Sequence, residues 1–267
     1  MSKHLTMGSL FDGIAGFPLA ASRYGIETVW ASEIEPNCIK ITSKHFPKMK
    51  HLGDVANIPL DEIAPVDIVT FGSPCQDLSV AGKRAGLDGE RSGLFRIAVD
   101  LIRRLRARDG KPEIVVWENV PGAFSSNKGM DFREVLKEIT EAEIPMPADG
   151  RWAPAGVVEC DNCQLSWRVL DAQYWGVPQR RKRIFLVADF RGKRSTEILF
   201  KPDCLRRNNQ ESRSEREGFA GEAGKGVEAT MWDGDSVCPT LSRSNAGGGQ
   251  RMPDKANFNA ILQRFRV

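Results

Sequence analysis

The chain has 267 residues, 41% of them hydrophobic and 27% charged, with a net charge of +3 and a pI near 8.5. That suits a soluble globular protein with one full-sized core and a small second lobe. Six cysteines in this length do not make a disulfide framework, and no apolar run reaches membrane-spanning length, so a cytoplasmic protein with reduced thiols and no membrane partner is expected. The mild positive charge permits nucleic-acid binding without establishing it.

In chain order, Leu5–Phe11 reads as a strand and Pro18–Tyr24 as a helix stopped by Gly25. Glu27–Ser32 is a strand, Pro36–Phe46 a helix closed by Pro47, and a short strand ends near Leu52. Val66–Phe71 is a continuous apolar run, as expected of a strand buried on both faces. Ser92–Arg108 is the clearest helix: Leu94, Ala98, Leu101 and Leu105 share a face, Ile97 and Ile102 widen it, and Arg96, Asp100, Arg103, Arg104 and Arg106 point away. Ile114–Trp117 is a strand, Asp131–Glu141 a helix, and Trp167–Leu170 and Ile184–Ala188 are further strands. This alternation predicts an α/β fold with an open, mostly parallel sheet covered by helices. In such sheets ligands sit beyond the carboxyl ends of the strands, so the residues just after each strand are candidates for chemistry. Residues 191–267 differ: Arg206–Gly226 is polar and mixed in charge, Gly247-Gly248-Gly249 follows, and the region reads as loop-rich.

The first strand runs into Phe11-Asp12-Gly13-Ile14-Ala15-Gly16-Phe17. Glycines there let backbone approach a ligand, although the dinucleotide order G-x-G-x-x-G is absent. Glu33 ends the second strand and Asp54 follows the third; each is either a solvated loop-end acid or a ligand of a nucleoside-type cofactor. The fourth strand delivers Gly72-Ser73-Pro74-Cys75-Gln76-Asp77-Leu78-Ser79, which exposes a thiol to the cleft behind a proline. The fifth delivers Trp117-Glu118-Asn119-Val120-Pro121. A thiol and a carboxyl on adjacent strand ends form a nucleophile and acid pair. From Gln179 to Arg194, Arg180, Arg181, Lys182, Arg183, Arg191, Lys193 and Arg194 face one acid, Asp189; they are either solvated or a phosphate-contact surface, and the nearby motifs favour the latter.

Phe11–Phe17, Gly72–Ser79, Glu118-Asn119-Val120 and Gln179-Arg180-Arg181-Lys182-Arg183, in this order over about residues 5–190, resemble the DNA (cytosine-5) methyltransferase family. The resemblance implies a doubly wound sheet of the S-adenosylmethionine-dependent type and transfer of a methyl group from that cofactor to C5 of a flipped cytosine in duplex DNA, as part of DNA methylation in restriction–modification. It implies Cys75 as nucleophile, Glu118 as partner of cytosine N3, and Arg181 and Arg183 beside the catalytic loop and base. The cofactor would meet Phe11, the Gly13/Gly16 turn, Glu33, Ile34, Asp54, Pro74 and Leu94, and DNA would meet Gln76, Ser79, Gln179 and Arg180. Ala15 stands where family members often have glycine, and Asp12 where a small residue is common; both side chains are expected to point away.

Residues 1–190 are expected to form the catalytic and cofactor-binding domain, and 191–267 a variable, incomplete region resembling a DNA target-recognition segment. Family members continue into a helix and a strand carrying an asparagine motif, whereas this chain stops at Val267 with no Gly-Asn-Ser-like segment. The alternatives on that ground are a truncated, non-catalytic DNA-binding remnant or one half of a split enzyme completed by a second polypeptide. An RNA cytosine-5 methyltransferase would share the Pro-Cys and Glu-Asn-Val pairing, and a nucleotide-dependent oxidoreductase the strand-and-glycine pattern but not Cys75 with Glu118. Cys160-Asp161-Asn162-Cys163 has half a zinc-site spacing, but no histidine or second C-x-x-C accompanies it, and no metal is assigned. Trp117, Trp152, Trp167 and Trp175 are expected in the core or cleft wall.

Overall fold

Apolar strand runs bounded by helices assemble into a nine-stranded mixed sheet in the computed structural model, which describes residues 4–73, 93–175 and 178–200 and the backbone of 238–239 and 262–266. The strands are β1 (Thr6–Leu10), β2 (Glu27–Ser32), β3 (Lys50–His51), β4 (Ile68–Phe71), β5 (Ile114–Asn119), β6 (Ala155–Glu159), β7 (Gln164–Asp171), β8 (Gln179–Arg180), β9 (Lys182–Asp189), β10 (Cys238–Pro239) and β11 (Leu262–Arg266). The helices are α1 (Gly16–Ser22), α2 (Pro36–His45), α3 (Gly93–Asp109), α4 (Met130–Thr140) and α5 (Ser195–Leu199). The sheet order is β11-β6-β7-β9-β5-β4-β1-β2-β3, and β8 pairs with β10 in a separate two-stranded ribbon. Five of the eight pairings in the large sheet are parallel. The mostly parallel α/β architecture is the one expected, and the order inverts between β4 and β1, where the chain doubles back.

The period-two alternation of side chains sorts the two faces. Leu165 and Trp167 of β7 pack towards α4, where the Trp167 and Phe132 rings meet at 5.5 Å. Gln164 and Ser166 point the other way and bond Ser195 of α5, at 3.0 and 2.8 Å. One continuous cluster joins α3 and α4 to the sheet through Phe71, Phe95, Trp117, Phe132, Trp152 and Trp167. Of the four tryptophans expected in core or cleft wall, three are therefore core and Trp175 is half-exposed.

Strand β6 was not expected from the sequence. Its run Ala155–Glu159 is short and holds Gly156, yet a two-residue turn, Asp161-Asn162, follows it and closes a hairpin onto β7. That turn is the signal that identifies it. Gly156 is required because the Trp167 indole lies flat over it: a Cβ there would sit 2.0 Å from Cζ2. Gly8 of β1 stands in the same relation to Trp30.

Candidate active site

At the carboxyl end of β1 the chain turns sharply, with Phe11 at φ 53°, Gly13 at φ 58° and Ala15 at φ 67°. Left-handed φ suits glycine and strains the other two, so the turn is held by its contacts. Chief among them is Glu33, at the end of β2. Its carboxylate accepts from the backbone N–H of Gly13 (2.7 Å), Ile34 (2.8 Å) and Glu35 (2.9 Å). An ionised carboxylate offers about four acceptor positions, so one remains for a ribose hydroxyl. Ile34, next in sequence, is 70% exposed, an apolar surface beside the acid. Asp54 caps the 3-10 turn Val55–Asn57 by accepting from Ala56 N (3.0 Å) and Asn57 Nδ2 (3.1 Å). Ser32 Oγ bonds Gly53 O at 2.6 Å and so ties the ends of β2 and β3 together. Open space surrounds Gly13 and Gly16. An acid with a spare lone pair, an adjacent exposed aliphatic and an open glycine turn fit an adenosine-bearing cofactor.

Asp12 and Ala15 turn their side chains into the protein, while the glycines of the turn face open space. Ala15 is 1% exposed and Asp12 8%. The turn folds inward because Asp12 N–H donates to Ser32 O (3.1 Å) while Ser9 Oγ donates to Asp12 Oδ1 (2.7 Å). Asp12 Oδ2 is buried without a hydrogen-bond partner. Burial, assisted by repulsion from Glu33, raises this carboxyl to a pKa of about 6 despite the Ser9 bond.

Strands β4 and β5 end side by side, with Phe71 paired to Trp117. Trp117 Nε1–H donates to Ser73 Oγ (3.2 Å), and Asn119 Nδ2 donates to Ser73 O (3.1 Å). Asn119 Oδ1 in turn accepts Val120 N–H at 2.8 Å. Ser73 is thus anchored through both its hydroxyl and its carbonyl. Pro74, Cys75, Gln76 and Ser79 lie outside the described residues. Glu118 points to the opposite sheet face from Trp117, and Gly72 leaves room for it: a Cβ on Gly72 would meet Glu118 Oε2 at 3.2 Å. On that same face Arg183 Nε approaches Glu118 Oε1 at 2.9 Å, both side chains about one-quarter exposed. The register explains the pair, since Glu118 opposes Phe185 and Arg183 is its diagonal neighbour.

Arg181 is exposed, and its backbone N–H donates to Asp171 Oδ1 (3.0 Å). Asp171, buried at the end of β7 and missed in the sequence, also accepts from Gln173. Gln179 and Arg180 form β8, opposite Cys238 and Pro239. Leu94 packs half-buried against the main core at the start of α3, and Phe11 also packs on that core. Asn119 was legible as part of a motif, but its grip on Ser73 was not.

The basic stretch Arg180–Arg194 is not one surface. Strand β9 runs between its halves, so Arg180–Arg183 and Arg191–Arg194 lie at opposite sheet edges, roughly 25 Å apart at about 3.4 Å per residue. The second half is committed locally: Arg194 Nε pairs with buried Asp189 (2.9 Å), and Arg191 pairs with Glu113.

The family profile for C-5 cytosine-specific DNA methylase matches residues 5–222. Among curated relatives, the DNA N-6-adenine-methyltransferase of Escherichia phage P1 is 31% identical over 296 aligned residues, covering 99% of this chain and 38% of that protein. The Type II methyltransferase M2.BsuMI of Bacillus subtilis is 33% identical, covering 67% and 41%. The chain thus spans about two-fifths of the length of these relatives. The S. pombe Dnmt2 methyltransferase structure superposes with a TM-score of 0.53 at 21% identity, covering 74% of this chain and 55% of that one, a likeness of fold alone. With its glycine turn, its paired strand ends and most of its length inside the family profile, the chain belongs to the C-5 cytosine-specific DNA methylases.

Proposed function

We propose that the protein methylates C5 of cytosine in duplex DNA with S-adenosylmethionine as donor. The observation that carries this reading is the Glu118–Arg183 pair beside Gly72, two residues before Pro74-Cys75-Gln76 in the sequence. Glu33, Ile34 and Asp54 would hold the adenosine, with Phe11 and the Gly13/Gly16 turn around it, Pro74 and Leu94 completing the pocket. When bound, the cofactor supplies an activated methyl group.

Cytosine C5 is too weak a nucleophile to take that methyl group unaided. The Cys75 thiolate adds to C6, forming an S–C6 bond and making C5 enamine-like. Glu118 shares a proton with N3, where the displaced electron density collects. Arg183 keeps the Glu118 carboxylate directed and, near the base oxygen, stabilises the same charge, with Arg181 beside the loop. C5 would then take the methyl group as its bond to the donor sulfonium breaks, leaving a neutral thioether. A base removes the C5 proton, the electrons of that bond expel the Cys75 thiolate, and the N3 proton returns to Glu118. A stacked base cannot reach this constellation, so the target is flipped out. Gln76, Ser79, Gln179 and Arg180 would contact the DNA, and the region 191–267 would read its sequence.

The phage P1 relative bears an adenine-N6 name, but this chain matches 38% of it. An amino nitrogen attacks a methyl sulfonium with its own lone pair and needs no thiol, so Cys75 favours cytosine. The test is nucleoside mass spectrometry after incubation with duplex DNA, with tRNA in parallel. 5-Methylcytosine in DNA is expected. N6-methyladenine, or product in tRNA alone, would refute the reading. DNA carrying 5-fluorocytosine should trap the chain covalently, and a trapped adduct persisting in Cys75→Ala would exclude Cys75 as nucleophile.

A further inference from the structure

We infer that the α3–α4 side of the fold carries a second binding site, separate from the methyl-transfer site, for an amphipathic organic carboxylate. The cavity there, about 990 Å³, is within the usual size range of small-molecule pockets. It lies between the inner face of α3, the end of α4 and the β6–β7 turn. Its walls include Val115, near the start of β5, and Phe190 to Lys193, past the end of β9. It therefore opens at the sheet edge opposite Glu118 and Arg183, where methyl-transfer chemistry has no use for it.

The lining is graded in polarity. Phe71, Val99, Ile102, Val115 and Ile139 make an apolar floor, nearly all of it buried. Cys160 and Cys163 extend this wall: burial pushes both thiols up, Cys163 to about 12, so they stay neutral and act as small hydrophobes. Val99, Ile102 and Arg106 follow one stripe of α3, and the stripe ends in a charge roughly 10 Å from Val99 at about 1.5 Å rise per residue.

Arg106 is the reason to expect an anion. Its guanidinium lies 3.8 Å over the Phe190 ring and donates to Pro112 O at 2.8 Å. Among the described residues it has no carboxylate within 4.0 Å. The acids nearby are taken: Arg103 holds Glu138 (3.1 Å) and Glu141 (2.6 Å), and Arg191 holds Glu113. Burial disfavours the charged form of Arg106, which is held below the ordinary arginine value. Glu141 attracts Arg106 from a distance without pairing with it, and a half-buried cation in no direct ion pair is a cost that a bound anion relieves. Lys193 adds a second cation at the mouth, while Asp161 and Glu141 line the same opening and repel a second negative charge. One negative headgroup at Arg106 with an apolar tail against the half-buried Ala142 and Phe190, over the buried Val99 and Phe71, satisfies all of these surfaces. A medium-chain fatty acid has that form, whereas inorganic phosphate and a neutral alcohol do not.

Calorimetric titration of the full chain with octanoate tests this, with 1-octanol and sulfate as controls and circular dichroism to verify folding. One saturable octanoate site is expected, with both controls at least tenfold weaker. Arg106→Met should weaken octanoate at least tenfold. Ala107→Trp, at an exposed α3 position beside the cavity, should block it without touching the core. Cys75→Ala should bind octanoate normally, which separates this site from the methyl-transfer reading. No saturable binding by the folded chain, octanol binding as tightly as octanoate, or wild-type affinity in either folded α3 variant would overturn the inference.

Discussion

Asp12 is a carboxyl in the wrong solvent: 8% exposed, one oxygen without a partner, and Glu33 nearby. Its pKa rises from 3.8 to about 6, so between those values the folded chain keeps a proton that the unfolded chain has released. Stability from this group must fall as pH rises through about 4 to 6 and stay low above it. Asp12→Asn removes the ionisation and retains an acceptor for Ser9. It should stabilise the protein by about 2–3 kcal/mol at pH 8, at about 1.4 kcal/mol per pKa unit, with the gain fading towards pH 4. Urea unfolding at several pH values measures this, and a pH-independent difference would contradict it. Glu33 needs a more careful substitution. Because it accepts three backbone N–H groups, Glu33→Ala would loosen the glycine turn as well as remove the proposed ribose ligand. Glu33→Gln keeps an acceptor oxygen and removes the charge. It should weaken S-adenosylmethionine roughly tenfold or more, the worth of a charged hydrogen bond at about 1.5–3 kcal/mol, and leave DNA affinity unchanged. Equal cofactor affinity by calorimetry would show that Glu33 serves the turn alone.

Pairs of elements are locked by contacts that tolerate little change. Trp167 bonds Ala153 O through Nε1 (3.0 Å) and covers Gly156, so β6 and β7 meet ring against backbone. Gly156→Ala must displace the ring or bend the strand, and should cost at least about 3 kcal/mol in urea unfolding, the upper range for overpacking. A near-neutral result would mean the hairpin shifts freely. The junction of β4 and β5 is locked by polar contacts. Asn119→Ala deprives Ser73 O and Val120 N of buried partners, which should cost about 2 kcal/mol of stability. Ser73, two residues before Cys75 in the sequence, should also lose its anchor, so covalent capture on 5-fluorocytosine DNA should slow at least tenfold. An unchanged capture rate would show that Ser73 is positioned without Asn119.

Across the whole molecule, β9 separates two basic groups that are neighbours in sequence. If DNA lies at the carboxyl ends of β4 and β5, only the Arg180–Arg183 side meets phosphate. Arg180→Ala should then weaken DNA binding and reduce the slope of log affinity against log salt by about 0.9. Arg191→Ala, at the far edge, should change neither. Equal losses from both would require DNA to wrap the sheet. At the same scale, residues 262–266 return as β11, parallel to β6, so the last residues of the chain extend the sheet that the first residues begin.

The sequence by itself determined most of the elements of the first two-thirds, because an apolar run or helical stripe is a local pattern. Val66–Phe71 and Ser92–Arg108 were legible in this way, and both formed close to their expected bounds as β4 and α3. It also determined the order of the motifs, and with it the family. Strand β6 escaped because its five residues have a glycine where alternation should show a side chain, and that glycine makes sense only under Trp167. The inward turn of Asp12, the anchoring of Ser73 by Trp117 and Asn119, and the Glu118–Arg183 pair are contacts between residues 3 to 65 positions apart. Only tertiary structure decided them, since pairing depends on strand order and register, which no local pattern encodes. The basic stretch shows the same limit in reverse: adjacency in sequence suggested one surface, and an extended strand, advancing about 3.4 Å per residue, carried its halves to opposite edges of the sheet.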